Sequence, residues 1–181
     1  MSRKEALKDL QQRLAERLAS ARTEAASQSW LAVWVGLSPC LLPLSQSGEI
    51  FHPVPLMTVP YVQPWFLGVG NLRGSLFGVV DLARYLQTHE GQFTRNEQAW
   101  AQVRLVTLNS ALEVNCALLV DRLSGLRRRQ AFVDAQTPAA DAPACFGQRL
   151  TDDTGTCWQE LLPQVLARSP GFLAIGMNDS Q

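Results

Sequence analysis

The sequence predicts a mainly β fold made of two small barrels. Short β-rich segments occur in two runs, and turn residues separate the segments. The stretch FLGVGNLRGSLFGVVDL (66–82) also combines strand-forming residues with closely spaced glycines, which is typical of a curved hairpin. Short strands with turns between them are characteristic of sandwiches and barrels. At 181 residues and 46% apolar composition, the chain suffices for one domain or for two lobes sharing a core.

Composition argues against several classes of function. Acidic and basic residues are equal at 16 each, so nothing in the overall charge favours nucleic acid. No apolar run approaches the ~20 residues of a membrane span, and the charged start MSRKEALKDLQQRLAER is unlike a secretory signal. The four cysteines form no C-x-x-C motif, and the chain has two histidines. We therefore expect a cytoplasmic protein with reduced thiols, no metal, no cofactor and no membrane insertion.

The N-terminal segment predicts one amphipathic helix. Ser2 followed by Glu5 forms a capping box, and the helix should run to about residue 26. One face carries an apolar stripe: Leu7, Leu10, Leu14 and Leu18. The stripe could pack on the protein's own body or dock on a partner.

The first β-rich run contains strands at 30–36 and 40–44 and the segment GEIF at 48–51, followed by a proline-rich extended link at 52–64. Pro43 suggests an edge strand or a bulge. Next come the two strands of the hairpin, 66–72 and 76–80, joined by a turn at 73–75. Its glycines indicate tight curvature or close approach of another backbone. Residues 81–88 predict a short helix with Asp81 as N-cap.

A second run begins after a polar loop at 89–100. Strands are predicted at 102–108, 113–121, 125–133 and 156–162, with a turn at Asn109-Ser110 and a loop at 134–144. Pro163 suits the first turn of a last short helix, 163–168. We assign residues 1–28 to the helix, 29–175 to the β domain and 176–181 to a tail.

A nucleotide-binding loop is the alternative interpretation of the glycines, and the spacing argues against it. Gly68, Gly70 and Gly74 give G-x-G-x-x-x-G, one residue longer than the dinucleotide fingerprint, and no lysine follows as a Walker loop requires. The segment after the glycines is a poor helix start.

Three motifs resemble those of CheW-type coupling domains. The hairpin sequence GVGNLRGSLFGVVDL resembles the family's N-L-R-G turn followed by a strand ending in V-D-L. Glu49-Ile50 resembles an upstream E-I pair at the family's spacing from Arg73, and RLVTLNSALEVNCALLVDRLSGLRR resembles a downstream hairpin containing ALLVD. The likeness covers about residues 29–135. The C-terminal W-x-E-L-L and S-P-x-F-L elements resemble PilI-type adaptors of type IV pilus chemosensory systems more than flagellar coupling proteins.

The resemblance implies a fold and a function. The fold would be two intertwined five-stranded SH3-like barrels, with the N-terminal helix and a short C-terminal helix added. The function would be a non-catalytic adaptor between the cytoplasmic tip of a chemoreceptor and the regulatory domain of a histidine kinase, in a pathway that controls twitching motility.

Glu49 and Arg73 are the pair singled out for partner binding. The pair could be an ordinary surface ion pair, or Arg73 could offer its planar fork to a carboxylate on a partner from the hairpin tip. The full set of predicted partner-binding residues is Glu49, Trp65, Asn71, Leu72, Arg73 and Gly74. Trp65 could be a core residue or an anchor for a partner, and the other four tryptophans are mostly core candidates.

The basic run Arg127-Arg128-Arg129 supports the rival hypothesis of a small nucleic-acid-binding barrel. A solvated loop face or an acidic partner would explain the run equally well, and only Phe132 lies close enough to serve as a stacking aromatic. An enzyme is disfavoured because the two histidines have no triad spacing. Asp152-Asp153 is expected to be a solvated turn with ordinary acidity.

Overall fold

The computed structural model describes residues 29–86 and 95–177. The predicted helix at 1–28 lies outside the described residues, as do 87–94 and 178–181. Within the described ranges the chain is mainly β, as predicted, and forms two six-stranded sheets.

The first sheet, sheet A, combines the start of the described chain with its second half. Its strands are Ser29–Val35 (β1), Ser38–Pro43 (β2), Arg122–Arg128 (β9), Phe132–Gln136 (β10), Phe146–Asp152 (β11) and Cys157–Leu161 (β12). Their order across the sheet is β10-β11-β12-β2-β1-β9.

Sheet B comes from the middle of the chain. Its strands are Ser47–Phe51 (β3), Leu56–Met57 (β4), Phe66–Leu72 (β5), Ser75–Asp81 (β6), Arg104–Leu108 (β7) and Cys116–Val120 (β8), in the order β3-β7-β8-β6-β5-β4. Each sheet has one parallel pair, β2 with β12 and β6 with β8. The expectation of two five-stranded barrels was therefore wrong. Each sheet has six strands, and each strand order runs from one edge strand to another without closing.

Two strands join the lobes because both of their faces are buried. In β1, Trp30 and Ala32 enter the core of sheet A, whereas Leu31, Val33 and Val35 enter a core shared by the two sheets. In β8, alternate residues likewise divide between the shared core and the core of sheet B. Their continuous apolar sequences, WLAVWV and CALLV, reflect this double burial.

Four short α-helices complete the described chain: Leu82–Tyr85 (α1), Glu97–Gln102 (α2), Pro163–Leu166 (α3) and Pro170–Leu173 (α4). Asp81 caps α1 as predicted, because its Oδ1 accepts the backbone N–H of Arg84 at 3.3 Å. Helix α2 falls in the predicted polar loop and is capped by Asn96, whose Oδ1 accepts the N–H of Ala99 at 2.8 Å. A helix of six residues carries too little periodicity for its sequence to indicate it.

Strands β2 and β11 differ from what the sequence predicted. Strand β2 lies between β12 and β1, so Pro43 is not on an edge strand. The proline is tolerated because it lies beyond Cys40 and Leu41, the residues that pair with β12, so one side of the strand is unpaired at Pro43. Strand β11 was not predicted, since its sequence FGQRLTD alternates imperfectly and its register with β10 and β12 is irregular.

Candidate partner-binding surface

A two-residue turn connects β5 to β6. Arg73 and Gly74 both have positive φ, 51° and 86°, as a type I′ turn requires. The N–H of Gly74 donates to Oδ1 of Asn71 at 2.7 Å, which fixes the tip. Ser75 pairs with Leu72 in the ladder, so the turn is one residue shorter than predicted.

Glycine is required at two positions of the hairpin for different reasons. A Cβ at Gly74 would meet no neighbouring atom, so only the backbone angle requires glycine there. A Cβ at Gly68, where φ is 131°, would collide with the carbonyl oxygen of Met57. The predicted close approach of another backbone is therefore confirmed at Gly68, which lies against the backbone of β4.

Glu49 and Arg73 meet at the hairpin tip. Nη1 of Arg73 lies 2.5 Å from Oε2 of Glu49, and the two side chains are 75% and 58% exposed, respectively. The guanidinium carbon of Arg73 lies 5.6 Å from the centroid of the Phe51 ring. Thr107 holds Glu49 in place, because its hydroxyl accepts the N–H of Glu49 at 2.8 Å and donates to the carbonyl oxygen of Glu49 at 3.2 Å. The structure thus brings together the two residues that the sequence singled out.

Apolar side chains flank this ion pair. Ile50 follows Glu49 and is 44% exposed, and Leu76, which pairs with Asn71 in the ladder, is 58% exposed. Sequence reasoning did not single out Leu76, although an apolar residue immediately beyond a polar turn was a usable signal. We name the set Glu49, Ile50, Asn71, Arg73, Gly74 and Leu76 the hairpin-tip surface. A charged pair with exposed apolar neighbours is a composition suited to protein contact.

Two of the predicted partner-binding residues are not part of this surface. Leu72 is 3% exposed and belongs to the core of sheet B. Trp65 is half-buried and stacks on Phe172, with ring centroids 5.9 Å apart, while Tyr85 packs edge-on against both rings. Through these contacts, Leu72 and Trp65 hold the hairpin against the rest of the domain.

The three consecutive arginines do not share one environment. Arg128 is exposed, whereas Arg127 is half-buried with its guanidinium carbon 5.8 Å from the centroid of the Trp158 ring. Arg129 donates from Nη1 to the carbonyl oxygen of Phe132 at 3.1 Å. The run is therefore divided among three sites, which does not correspond to a single basic face.

The expectation that Asp152 lies in a solvated turn was wrong. It is 8% exposed and accepts hydrogen bonds from the indole of Trp158 at 2.8 Å, the hydroxyl of Thr154 at 2.6 Å and the N–H of Thr156 at 2.9 Å. Burial alone would raise the pKa of Asp152, but the hydrogen bonds from Thr154, Trp158 and Thr156 lower it to about 2. Asp153 is exposed, as expected.

A buried ion triad, which sequence reasoning missed, lies between the ends of two strands of sheet B. Arg95, 4% exposed, donates from Nη1 to Asp81 at 2.6 Å and from Nε to Asp121 at 2.5 Å. Asp121 also accepts the N–H of Gly36 at 2.6 Å, which ties the β1–β2 turn of sheet A to sheet B. The two aspartates were visible as the ends of VVD and LLVD, but Arg95 stood in a stretch without periodicity.

Reactive groups are sparse among the described residues. Burial raises the pKa of the Cys40 and Cys116 thiols to about 12, which leaves them protonated and unreactive. Residues 29–86 and 95–177 contain no group of three or more histidine, cysteine or acidic side chains arranged to hold a metal ion. In the same ranges, no helix has the length and apolar character needed to cross a membrane.

Known proteins match the chain in both sequence and fold. Residues 29–151 match the model of the CheW-like domain family. Protein PilI of Pseudomonas aeruginosa is 28% identical over 158 residues, which span 84% of this chain and 83% of PilI. The crystal structure of the scaffolding protein TtCheW from Thermoanaerobacter tengcongensis superposes with a TM-score of 0.64 at 15% identity. That superposition covers 80% of this chain and 95% of TtCheW.

Proposed function

The chain belongs to the family of CheW-like domains, non-catalytic scaffolds of chemosensory signalling, and from this premise we propose that it joins the cytoplasmic tip of a methyl-accepting chemoreceptor to the regulatory domain of a CheA-type histidine kinase. The family match covers all of sheet B and the strands of sheet A except β12, and it contains the hairpin-tip surface. The proposal makes the protein a cytoplasmic adaptor that forms and breaks no covalent bond.

The likeness to PilI supports a more specific assignment. Identity of 28% extends over most of both chains. The C-terminal WQELL and SPGFL elements also resemble those of PilI-type adaptors. We therefore place the protein in a chemosensory pathway that controls type IV pilus twitching motility.

The observation that carries the proposal is the exposed Glu49–Arg73 pair on a strained turn. An exposed ion pair contributes only about 0–1 kcal/mol to stability, so the fold itself gains little from it. Arginine has five donors in a planar fork, and among the described residues its contacts are with Glu49 and Phe51. The side chain is 75% exposed, so its remaining donors are accessible to a carboxylate on a partner.

The turn geometry strengthens this argument. A non-glycine residue in the left-handed region costs roughly 1–2 kcal/mol, and asparagine, aspartate or glycine is the usual choice there in a type I′ turn. Arginine at φ 51° therefore makes this turn less stable than asparagine, aspartate or glycine would. Strained residues of this kind concentrate at functional sites.

Signalling through such an adaptor needs no chemistry of its own. If the adaptor holds receptor and kinase together, a change in the receptor can favour one of two kinase conformations. A differential affinity of a few kcal/mol is enough to shift such an equilibrium substantially.

The direct test is affinity purification of the tagged protein from its native cells. We expect a chemoreceptor and a large histidine kinase to be recovered with the wild-type chain. Arg73→Ala should reduce their recovery at least several-fold and leave the melting temperature nearly unchanged, because an exposed pair adds little stability.

Arg149→Ala is the matched control, since Arg149 is an exposed arginine on sheet A, away from the hairpin tip. It should leave recovery of the partners unchanged. Equal recovery with Arg73→Ala and wild type would reject the proposed surface, and a melting temperature that falls in step with binding would indicate a structural role for Arg73.

A further inference from the structure

We propose that a cleft at one end of sheet A is a binding site for a carboxylate group. The cleft has a volume of about 430 Å³ and is lined by residues from five strands and the turns beside them. The lining residues that matter here are Trp34, Arg127, Gln130, Val133, Asp152 and Trp158. A volume of this size is within the range of small-ligand sites.

The topology explains why a cleft forms there. Strands β9 and β10 follow one another in the chain, joined by a 3-10 turn at Arg129–Ala131, yet they are the two opposite edges of sheet A. The sheet must therefore curl until its edges approach, but no ladder pairs them. Arg127 lies on one edge and Val133 on the other, so the cleft occupies the end of this open seam.

Two hydrogen-bond donors at the cleft have no acceptor within the part of the chain that the structure describes. Nε of Arg127 and Nε1 of Trp34 are shielded from solvent, and no described residue accepts from either of them. Buried polar groups are nearly always hydrogen-bonded, so two such donors beside one cleft call for an external acceptor. Both side chains line the same cleft, which gives that acceptor a place to bind once the side chains adjust to it.

The other charges of the cleft decide the sign of the ligand. The carboxylate of Asp152 is already engaged by the indole of Trp158 and by Thr154 and Thr156. Asp153 is exposed and is the one other acidic residue in the lining. Arg127 makes no ion pair with either aspartate, so its positive charge remains available. An acceptor with negative charge therefore fits the cleft better than a cation does.

The walls indicate what the carboxylate is attached to. The Trp34 and Trp158 rings pack edge-on with centroids 6.1 Å apart, and Arg127 lies beside Trp158. A guanidinium recognises a carboxylate through paired hydrogen bonds, while indole rings favour a flat apolar body. The carboxylate could belong to a free small molecule or to a glutamate side chain of a partner protein.

Indole N–H signals in a ¹H–¹⁵N NMR spectrum provide the test on the full-length protein. The five tryptophans give five such signals, and Trp34→Phe identifies the one from Trp34 by its loss. Benzoate, compared with neutral benzamide, probes the free acid. N-acetylglutamate amide, compared with N-acetylglutamine amide, probes the side chain.

We expect benzoate to shift the Trp34 signal saturably, with benzamide at least roughly tenfold weaker. Saturation by N-acetylglutamate amide as well would assign the site to a partner's acidic side chain, whereas saturation by benzoate alone would assign it to a small molecule. No saturable shift with either acid, or an equal shift with sodium chloride, would overturn the proposal.

Three variants check the charges. Arg127→Gln should weaken benzoate binding by about tenfold, because the paired charged contact is lost. Arg128→Gln removes the same charge from the exposed neighbouring position and should have no effect. Asp153→Asn should tighten binding by about two- to threefold, because it removes a like charge from the rim. Equal effects of the Arg127 and Arg128 variants would contradict a specific site, and unchanged signals from the remaining tryptophans verify that each variant is folded.

Discussion

Glu49 and Arg73 join two parts of sheet B that are far apart in its strand order. Glu49 lies on the edge strand β3, whereas Arg73 lies in the turn between β5 and β6, at the other side of β7 and β8. The ion pair at 2.5 Å is possible because the sheet curls until these parts meet. The pair therefore lies over a seam on the surface, where its charges can change without disturbing the core.

Replacing Arg73 by asparagine should separate stability from binding. Asparagine tolerates the left-handed conformation better than arginine, so Arg73→Asn should raise the free energy of unfolding by about 0.5–1 kcal/mol. Partner binding should fall because the guanidinium is gone. Urea unfolding measures the first effect, with Arg73→Ala, which keeps the strain, as the control. An asparagine variant no more stable than the alanine variant would refute the strain argument.

Removing Arg95 should be the most damaging change to a charged residue. Arg95→Met leaves the buried carboxylates of Asp81 and Asp121 without their cation, and breaking a buried ion pair in this way costs about 3–5 kcal/mol. Urea unfolding should show the loss. Arg84→Met is the control, because Arg84 also contacts Asp81 but is 56% exposed, and it should cost less than about 1 kcal/mol.

Asparagine at both positions 81 and 121 should restore part of the stability lost in Arg95→Met, since it removes the uncompensated charges. A cost within about 1 kcal/mol for Arg95→Met alone would show that water or another group compensates the two aspartates.

Asp152 should contribute to acid unfolding. Its hydrogen bonds lower its pKa in the folded protein from 3.8 to about 2, so the unfolded chain takes up the proton first as pH falls. The stability that the carboxylate provides is therefore fully present above pH 4 and is lost progressively as pH falls through about 2. Melting temperatures measured between pH 6 and pH 2, about 0.5 unit apart, should show a smaller decline for Asp152→Asn than for wild type. Parallel declines would contradict this role.

The β domain should fold without the N-terminal segment. Within residues 29–86 and 95–177, the three apolar clusters are built from residues 30 onward and supply a core to each sheet. We predict that a chain starting at Ser29 is soluble and melts within about 5 °C of the full-length protein. An insoluble or much less stable product would show that residues 1–28 cover part of the core.

The hairpin could be predicted from sequence because its determinants are local. Gly74 requires a positive φ that Asn71 supports through a contact three residues away, and alternating apolar residues set the two strands. Strand β5 accordingly has the predicted limits, and the cap at Asp81 is local in the same sense. The approach of Glu49 to Arg73 came from the family resemblance, since nothing local connects residues 24 positions apart.

The features that were missed depend on contacts distant in sequence. The sequence around Asp152 is typical of a polar turn, and its burial depends on the contact with Trp158 that only the fold creates. Arg95 has no local pattern, and its role is set by two aspartates from separate strands. The number of strands in a sheet also depends on pairing between distant segments. The Leu56–Met57 strand, for example, is only two residues long and is defined by its ladder with Val69 and Gly70.

Charge reversal of the Glu49–Arg73 pair tests the central claim most directly. Glu49→Arg and Arg73→Glu, separately and together, should be compared by the affinity for the kinase regulatory domain and by melting temperature. We predict that the double variant keeps its ion pair and its melting temperature. It should nevertheless bind the kinase domain at least tenfold more weakly than wild type, as the single variants should, because the partner recognises which of the two positions carries which charge. Recovery of wild-type affinity in the double variant would contradict the account, since the pair would then only hold the turn in place.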